Sequence, residues 1–470
     1  MNYLPPPLIS SLQHVQGFDE KSFVEVHHSD KQVTSVRLNP RKISKNDSPH
    51  DEVKDNFFWL PIAGKVPWSD NGYYLKERPL FYLDPLWHAG VYYVQEPSSM
   101  CLEFVLKHLC DLSLPLRVLD LCAAPGGKST LMAELLSEES VLISNEVIVS
   151  RSGILQENMI KWGLPNVIVT QNDPEDFLKL KEYFDVILVD APCSGSGLFR
   201  KDPNSVKEWS PEQVRACSQR QKRILADILP SLKENGLLIY TTCSFSQEEN
   251  EGISDYLMRQ FPLENISLPF PPEWNIVETD SPQAKAKGYR FYPNKLMGEG
   301  FFMLCFKKQD GETGAGEKDR KNLKLKNVLS EIKGVQRSFL TQWIDAPDDF
   351  SFFLLKDRIT GFPESSQHEL RTVLSALKVI YAGIGMGKRI GNDLIPDHPL
   401  ALSIKKNKNI VSEDLDLSGS IKYLRKEPLT LNGIPRGWIL ATYRHYGMGW
   451  LKSAGNRLNN YYPVNWRIRK

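Results

Sequence analysis

The stretch "DLCAAPGGKST", Asp120–Thr130, follows an apolar run and leads into a segment with helical spacing. Its tail resembles the phosphate-cradling loop of an ATPase, G-x-x-x-x-G-K-[ST]. Counting back from Gly127-Lys128-Ser129 puts the first required glycine at position 122, which is Cys122. Pro125 also removes an amide donor from the loop. The ATPase reading therefore fails on a named residue, and the dinucleotide fingerprint G-x-G-x-x-G is absent too. A strand, a Gly-containing turn and a helix remain. That unit sets backbone amides and a helix N-terminus at the carboxyl edge of a sheet.

On either side of the turn the chain alternates apolar strands with helices. "RVLDLC" (Arg117–Cys122), "VLISNE" (Val141–Glu146), "NVIVTQND" (Asn166–Asp173), "FDVILVD" (Phe184–Asp190) and "GLLIYTTCS" (Gly236–Ser244) read as five strands. "STLMAELL", Val147–Trp162 and Pro211–Leu229 read as helices between them. Strands apolar on both faces and separated by helices predict an α/β fold, a parallel sheet covered on both sides. Asn2 to about Pro97 reads as mixed α and β. "KKQDGETGAGEKDRKNLKLK" (Lys307–Lys326) is charged and lacks apolar periodicity, so a linker is expected there. A small mixed segment and a basic module follow it, and no internal repeat is visible.

In such a sheet an acid at the end of the second strand binds ribose hydroxyls. Glu146 stands twenty residues after Gly126, at the end of "VLISNE". Asp173 ends the third strand, where it can accept from an adenine amino group. A strand-end acid is often only a cap or turn residue. Two acids in order beside the Gly turn point instead to an adenosine cofactor without a pyrophosphate, S-adenosylmethionine.

The 470 residues allow several domains, and 41% hydrophobic with 24% charged residues is ordinary for a globular chain. "MNYLPPPLIS" lacks a basic region followed by an apolar stretch, so no secretory leader is expected. No apolar run is long enough for a membrane span. Seven cysteines with no CxxC pair argue against a disulfide framework or a zinc ribbon and fit a reducing cytoplasm; no metal is expected. Net charge is +1, yet Ser418–Lys470 carries ten Lys or Arg against one acid, Glu427. That module, at +9, predicts a polyanionic partner. Its cations Arg436, Arg444, Lys452 and Arg457 alternate with aromatics. Cations grip phosphates and aromatics stack on unpaired bases, although most of these rings are expected in the core of a small β-barrel.

Two cysteines close strands at the same edge: Cys193 in "DAPCSGSG" and Cys243 in "YTTCSFSQEEN". One isolated cysteine reads as a small buried apolar residue. Two on neighbouring strands, both at the ligand edge, read as rim thiols. A thiol beside a sulfonium methyl donor suits methylation at carbon 5 of a pyrimidine. Carbon 5 of cytosine is a weak nucleophile until a thiolate adds to carbon 6. Asp190 is placed to stabilise the adduct at ring nitrogen 3. Lys128 is a candidate cation beside a thiol, where a solvated charge is the plainer reading. Which cysteine attacks is not decided by these residues.

"LDLCAAPGGKS", "NEVIVSR", "QNDP", "DAPCSGSGLFRKDP" and "YTTCSFSQEENE" together resemble the NOL1/NOP2/Sun-type RNA 5-methylcytosine methyltransferases. "SVRLNPRK", "VPWSDNGYYL" and "YYVQEPSSM" fit the same group, and "PDHPLAL" with the basic module resembles its bacterial RsmF-like branch. Pro97 departs from the small residue usual in that last N-terminal motif. The resemblance implies a Rossmann-like class I methyltransferase core at 98–308. It implies an N-terminal α+β RNA-binding subdomain at 1–97, a linker at 309–326, a small mixed domain at 327–410 and a PUA-type RNA-binding β domain at 411–470. It makes Cys243 the nucleophile and Cys193 the residue for adduct breakdown and release. It gives Cys122, Ala123, Ala124, Pro125, Gly126, Gly127, Lys128, Glu146, Asp173 and Asp190 to the cofactor, with Lys128 and Asp190 also facing the base. The implied partner is ribosomal RNA of the small subunit, 16S rRNA, with no DNA, no membrane and a monomeric enzyme. Transfer RNA is an alternative substrate.

Arg200 and Lys201, in "GLFRKDPNSVKEW" beyond the fourth strand, are further RNA candidates; a salt bridge to Asp202 or Glu208 is the plainer reading for them. A DNA cytosine methyltransferase is disfavoured because Pro-Cys-Gln and Glu-Asn-Val are absent. A non-catalytic ribosome-assembly factor retaining the fold is disfavoured by Asp190, Cys193 and Cys243.

Overall fold

The computed structural model describes residues 4–29, 32–43, 60–309, 329–355, 357–391, 393–431, 433–455 and 457–469. The catalytic-type unit is built on five parallel strands: β1 (Arg117–Asp120), β2 (Val141–Asn145), β3 (Val167–Thr170), β4 (Phe184–Asp190) and β5 (Leu232–Thr242). Their order is β3-β2-β1-β4-β5, with the chain reversing direction across the sheet at β1. β6 (Phe301–Lys308) is antiparallel to β5, a strand not anticipated from the pattern.

Successive residues on each strand enter opposite layers, as a period of two requires. Leu119, Ile143 and Ile187 pack with Ile224, Leu225 and Ile253 on one face. Val118, Leu142 and Leu188 pack with Leu131, Leu155 and Met159 on the other. The covering helices are α1 (Gly127–Leu135), α2 (Val149–Trp162), α3 (Pro211–Ile228) and α4 (Glu251–Gln260). α3 starts cleanly because Ser210 accepts from Gln213 N and Pro211 takes the first turn, where its missing amide costs nothing. α2 stops at Gly163, whose φ of +83° suits glycine; a Cβ there would also stand 2.4 Å from Leu402 O.

The N-terminal residues form a four-stranded antiparallel sheet, ordered Ile62–Lys65, Gly72–Leu75, Thr34–Leu38, Tyr92–Val94. Arg37 locks it to α1. Its fully buried guanidinium pairs with Glu134, donates to Thr130 Oγ1 at 2.6 Å and lies 4.5 Å from the Trp162 ring.

After residue 328 a five-stranded antiparallel sheet (Ser330–Glu331 to Asp393–Pro396) is followed by the basic module's four-stranded sheet, ordered Ser412–Asp414, Gly437–Tyr443, Tyr446–Ser453, Leu458–Asn460. Among the described residues this last sheet is open rather than a closed barrel. Trp450 and Tyr462 are core, as expected from the sequence for most of these rings. The expected mixed segment does not stand apart: Val379–Ala382 adds an antiparallel edge strand to β3. Lys307 and Lys308, expected to open the linker, instead end β6; Gln309 follows, and 310–326 lie outside the described residues. Among the described residues no helix is long and apolar enough to cross a membrane.

Candidate active site

A cavity of about 800 Å³ opens at the carboxyl edge of β1, β2, β4 and β5, where a sheet of this order binds its ligands. Its floor is the Gly-containing turn between β1 and α1. Cys122, Ala123, Ala124, Pro125, Gly127 and Lys128 line it. Gly126 does not: it turns the chain with φ +116° and packs against Leu155 and Asn158, so its role is conformational rather than direct contact. Two carbonyls of the turn are pinned from α2, Ala124 O by Arg151 at 2.6 Å and Pro125 O by Asn158 at 2.8 Å.

Both strand-end acids reach the cavity. Glu146 accepts from Ile148 N at 3.0 Å, and its other oxygen lies 3.4 Å from Arg151. Val147 and Ile148 beside it are about half exposed, an apolar shelf at the rim. Asp173 caps the following turn through Glu175 N at 3.3 Å and pairs with Arg223 at 3.5 Å. Capping thus occupies one oxygen of each acid. The buried Asp120, not singled out from the sequence, accepts from Ser129 Oγ at 2.6 Å. Burial, together with the charges of Asp190 and Glu146, pushes its carboxyl up to about 7.

The two thiols meet. Cys193 Sγ lies 3.2 Å from Cys243 Sγ, across the adjacent ends of β4 and β5. Asp190 accepts from Lys128 Nζ at 2.8 Å and from Thr241 Oγ1 at 2.7 Å. Burial alone would depress the Lys128 ammonium, but the combined pull of Asp190, Asp120 and Cys243 raises it. The Cys193 thiol is pushed well up by its hydrogen bond to Cys243, by burial and by its electrostatic contact with Cys243 and Glu249. A cation therefore faces one sulfur and a carboxyl group the other.

That carboxyl group belongs to Glu249, which the sequence hides inside a charged run. Glu249 is fully buried. It accepts from Ser194 N at 2.8 Å, Ser194 Oγ at 2.6 Å, Ser244 Oγ at 2.5 Å and Gln221 Nε2 at 3.2 Å. Ser194 follows one cysteine and Ser244 the other, so one side chain fixes both thiol-bearing loops. The only sequence signal for it is its place in "CSFSQEEN" after a strand end.

Three family models match this chain in series: the N-terminal domain of 16S rRNA methyltransferase RsmF at 4–97, 16S rRNA methyltransferase RsmB/F at 113–307, and the methyltransferase RsmF PUA domain at 412–468. A relative described as ribosomal RNA small subunit methyltransferase F, from Shewanella woodyi, is 30% identical over 454 residues, covering 91% of this chain and 89% of its own length. This chain belongs to the RsmB/F family of 16S rRNA methyltransferases.

The same description is attached to a relative from Aliivibrio fischeri, 27% identical over 446 residues and covering 91% of this chain and 90% of its own length. Among solved structures, a methyltransferase homolog protein from Pyrococcus horikoshii is 27% identical with a TM-score of 0.53, covering 65% of this chain and 100% of that one. NSun6 from the same organism has a TM-score of 0.53 at 20% identity, covering 65% of this chain and 99% of that one, and shares the fold.

The cations expected to meet RNA are dispersed in this RsmB/F member. Arg200 turns inward, its side chain 5% exposed, donating to Gly298 O at 3.2 Å and pairing with Glu299 at 3.5 Å. Its guanidinium thus reaches an acid on another segment and is not presented to solvent. Lys201 is exposed but does not line the cavity. Arg444 sits at the turn end of the Gly437–Tyr443/Tyr446–Ser453 hairpin, while Arg436 and Arg457 lie toward its open end and Lys452 stacks 4.9 Å from the Trp438 ring. None of the four lines the catalytic-edge cavity.

Proposed function

We propose that this chain is an S-adenosylmethionine-dependent RNA (cytosine-5)-methyltransferase acting on 16S ribosomal RNA. The observation that carries the reading is the pair of sulfurs 3.2 Å apart at the ligand edge, flanked by the Lys128–Asp190 pair.

The cavity has room for an adenosine cofactor together with a splayed-out base. Glu146 would hold the ribose, Asp173 the adenine amino group, Val147 and Ile148 a ring face, and the Cys122–Lys128 turn the remainder. Bound there, S-adenosylmethionine supplies an electrophilic methyl group. The chain's own residues do the rest. Burial and the contact with Cys243 push the Cys193 thiol up, which disfavours it as the attacking thiolate and supports Cys243 as the nucleophile at carbon 6. Asp190, accepting from the Lys128 ammonium, stands toward ring nitrogen 3, where the pair offsets charge as the thiolate adds. Carbon 5, now enamine-like, becomes nucleophilic. After methylation, which leaves S-adenosylhomocysteine, water in the open cavity takes the carbon 5 proton, the C–H electron pair re-forms the ring double bond, the carbon–sulfur bond breaks and Cys243 departs as thiolate, with Cys193 assisting that departure.

The family match and the basic C-terminal module support ribosomal RNA as substrate. Seven free thiols suit a cytoplasmic enzyme. Incubated with ribosomal RNA and cofactor, Cys193→Ala is expected to accumulate a protein–RNA adduct that survives a denaturing gel. Cys243→Ala is expected to form no adduct and no 5-methylcytosine. Methylation by Cys243→Ala would refute the mechanism.

A further inference from the structure

At the far end of α2 from the cofactor cavity, a second cavity of about 310 Å³ lies where the N-terminal unit, the 402–406 segment and the basic module meet. Fourteen helical residues, about 21 Å, separate the two ends. Arg41, Lys42, Lys406, Arg444 and His445 line it, and its described lining contains no Asp or Glu.

Three of these cations donate to neutral carbonyls. Lys42 Nζ reaches Ala89 O and Lys161 O, each at 2.6 Å, and Lys406 Nζ reaches Ser403 O at 3.1 Å. Arg41 reaches Glu134 O at 3.2 Å and Leu136 O at 3.0 Å. Capping helix ends explains Arg41 and Lys42 taken singly. It does not explain why four cations from three separate segments converge on one opening. Asp345 acts on Lys406, and Asp414 lies 3.9 Å from His445, but neither lines the cavity. Burial, then the charge of Lys406, push the Lys42 ammonium well down, and an anion in the cleft would oppose both.

Close backbone approach builds the cluster. A Cβ at Gly447 would stand 2.5 Å from Ala401 O and 3.4 Å from Lys406 Cε; one at Gly163 would stand 3.1 Å from Lys42 Cε. Glycine at both places lets the segments dock with their cations turned into one opening.

We infer that this cleft binds a phosphodiester of the RNA backbone, gripping a segment that flanks the methylated nucleotide. The inference rests on the RNA reading of the active site. It is tested with full-length protein and a fluorescein-labelled single-stranded RNA titrated across a range of salt. Lys406→Gln/Arg444→Gln is expected to weaken binding about tenfold, the scale of one charge-assisted hydrogen bond. The slope of log affinity against log salt is expected to fall by about 0.7 for each phosphate that is no longer neutralised. Calorimetric affinity for S-adenosylmethionine is expected to be unchanged, which shows the variant is folded. An unchanged slope overturns the inference. So does a slope change half as large in Lys388→Gln, a cation outside the cleft paired with Asp357, because the effect would then track net charge, one cation against two. If the wild type forms no 5-methylcytosine yet the double variant still loses slope, the active-site reading fails and the cleft stands.

Discussion

His398, in the "PDHPLAL" segment, is buried with neither ring nitrogen hydrogen-bonded among the described residues. Its ring meets Tyr462 and Trp466 edge-on, at 5.2 and 4.7 Å. Burial, then the charges of Lys161, His88 and Lys42, push it down to about 3. His88, which bonds Tyr462 Oη at 3.1 Å, is pushed to about 3 by burial and Lys161. Both imidazoles are neutral in the folded protein, so unfolding allows proton uptake below the ordinary histidine range. Their contribution is present above about pH 6.5 and is lost as pH falls from there toward 3. At pH 5 each histidine should therefore cost about 2 kcal/mol relative to pH 7.5, roughly 4 for the pair. His398→Phe removes one titrating group and strands no hydrogen-bond partner. Urea unfolding followed by tryptophan fluorescence should show near-wild-type stability at pH 7.5. Between pH 7.5 and 5 the variant should lose about 2 kcal/mol less than the wild type. An identical loss in both proteins would mean that His398 takes up its proton without unfolding, and the reasoning would fail.

Glu249→Ala leaves Ser194 N without its buried acceptor, while Gln221 Nε2 keeps Pro192 O at 3.1 Å and the two serine hydroxyls, 3.2 Å apart, can pair with each other. A loss of about 1–3 kcal/mol in stability is expected from that orphan. A tenfold to hundredfold fall in kcat is also expected, with KM for S-adenosylmethionine unchanged and partial rescue by Glu249→Gln. Wild-type kcat in Glu249→Ala would remove the residue from thiol positioning. Glu146→Ala should weaken cofactor binding about tenfold to hundredfold by calorimetry, the scale of a missing carboxylate hydrogen bond. An unchanged Kd would show that this carboxylate only caps Ile148.

The sequence by itself determined the local units: five apolar strands, the Gly turn, the helices and the acids and cysteines that close strands at one edge. Strand–helix alternation and turn chemistry are short-range properties, and a doubly wound sheet sends every strand's carboxyl end to the same side. The failure of the ATPase reading at Cys122 was visible for the same reason. Tertiary structure alone decided which distant groups meet. Glu249 reads as one more charge in a polar run until Ser194, Ser244 and Gln221 surround it. Arg200 finds Glu299 almost a hundred residues away. Val379–Ala382 crosses two hundred residues to complete the catalytic sheet. The cations of the basic module are not gathered in one place: docking sends Arg444 to join Arg41, Lys42 and Lys406. Periodicity reports that a face is buried; only the packed chain shows what it is buried against, because burial and charge pairing depend on all the neighbours at once.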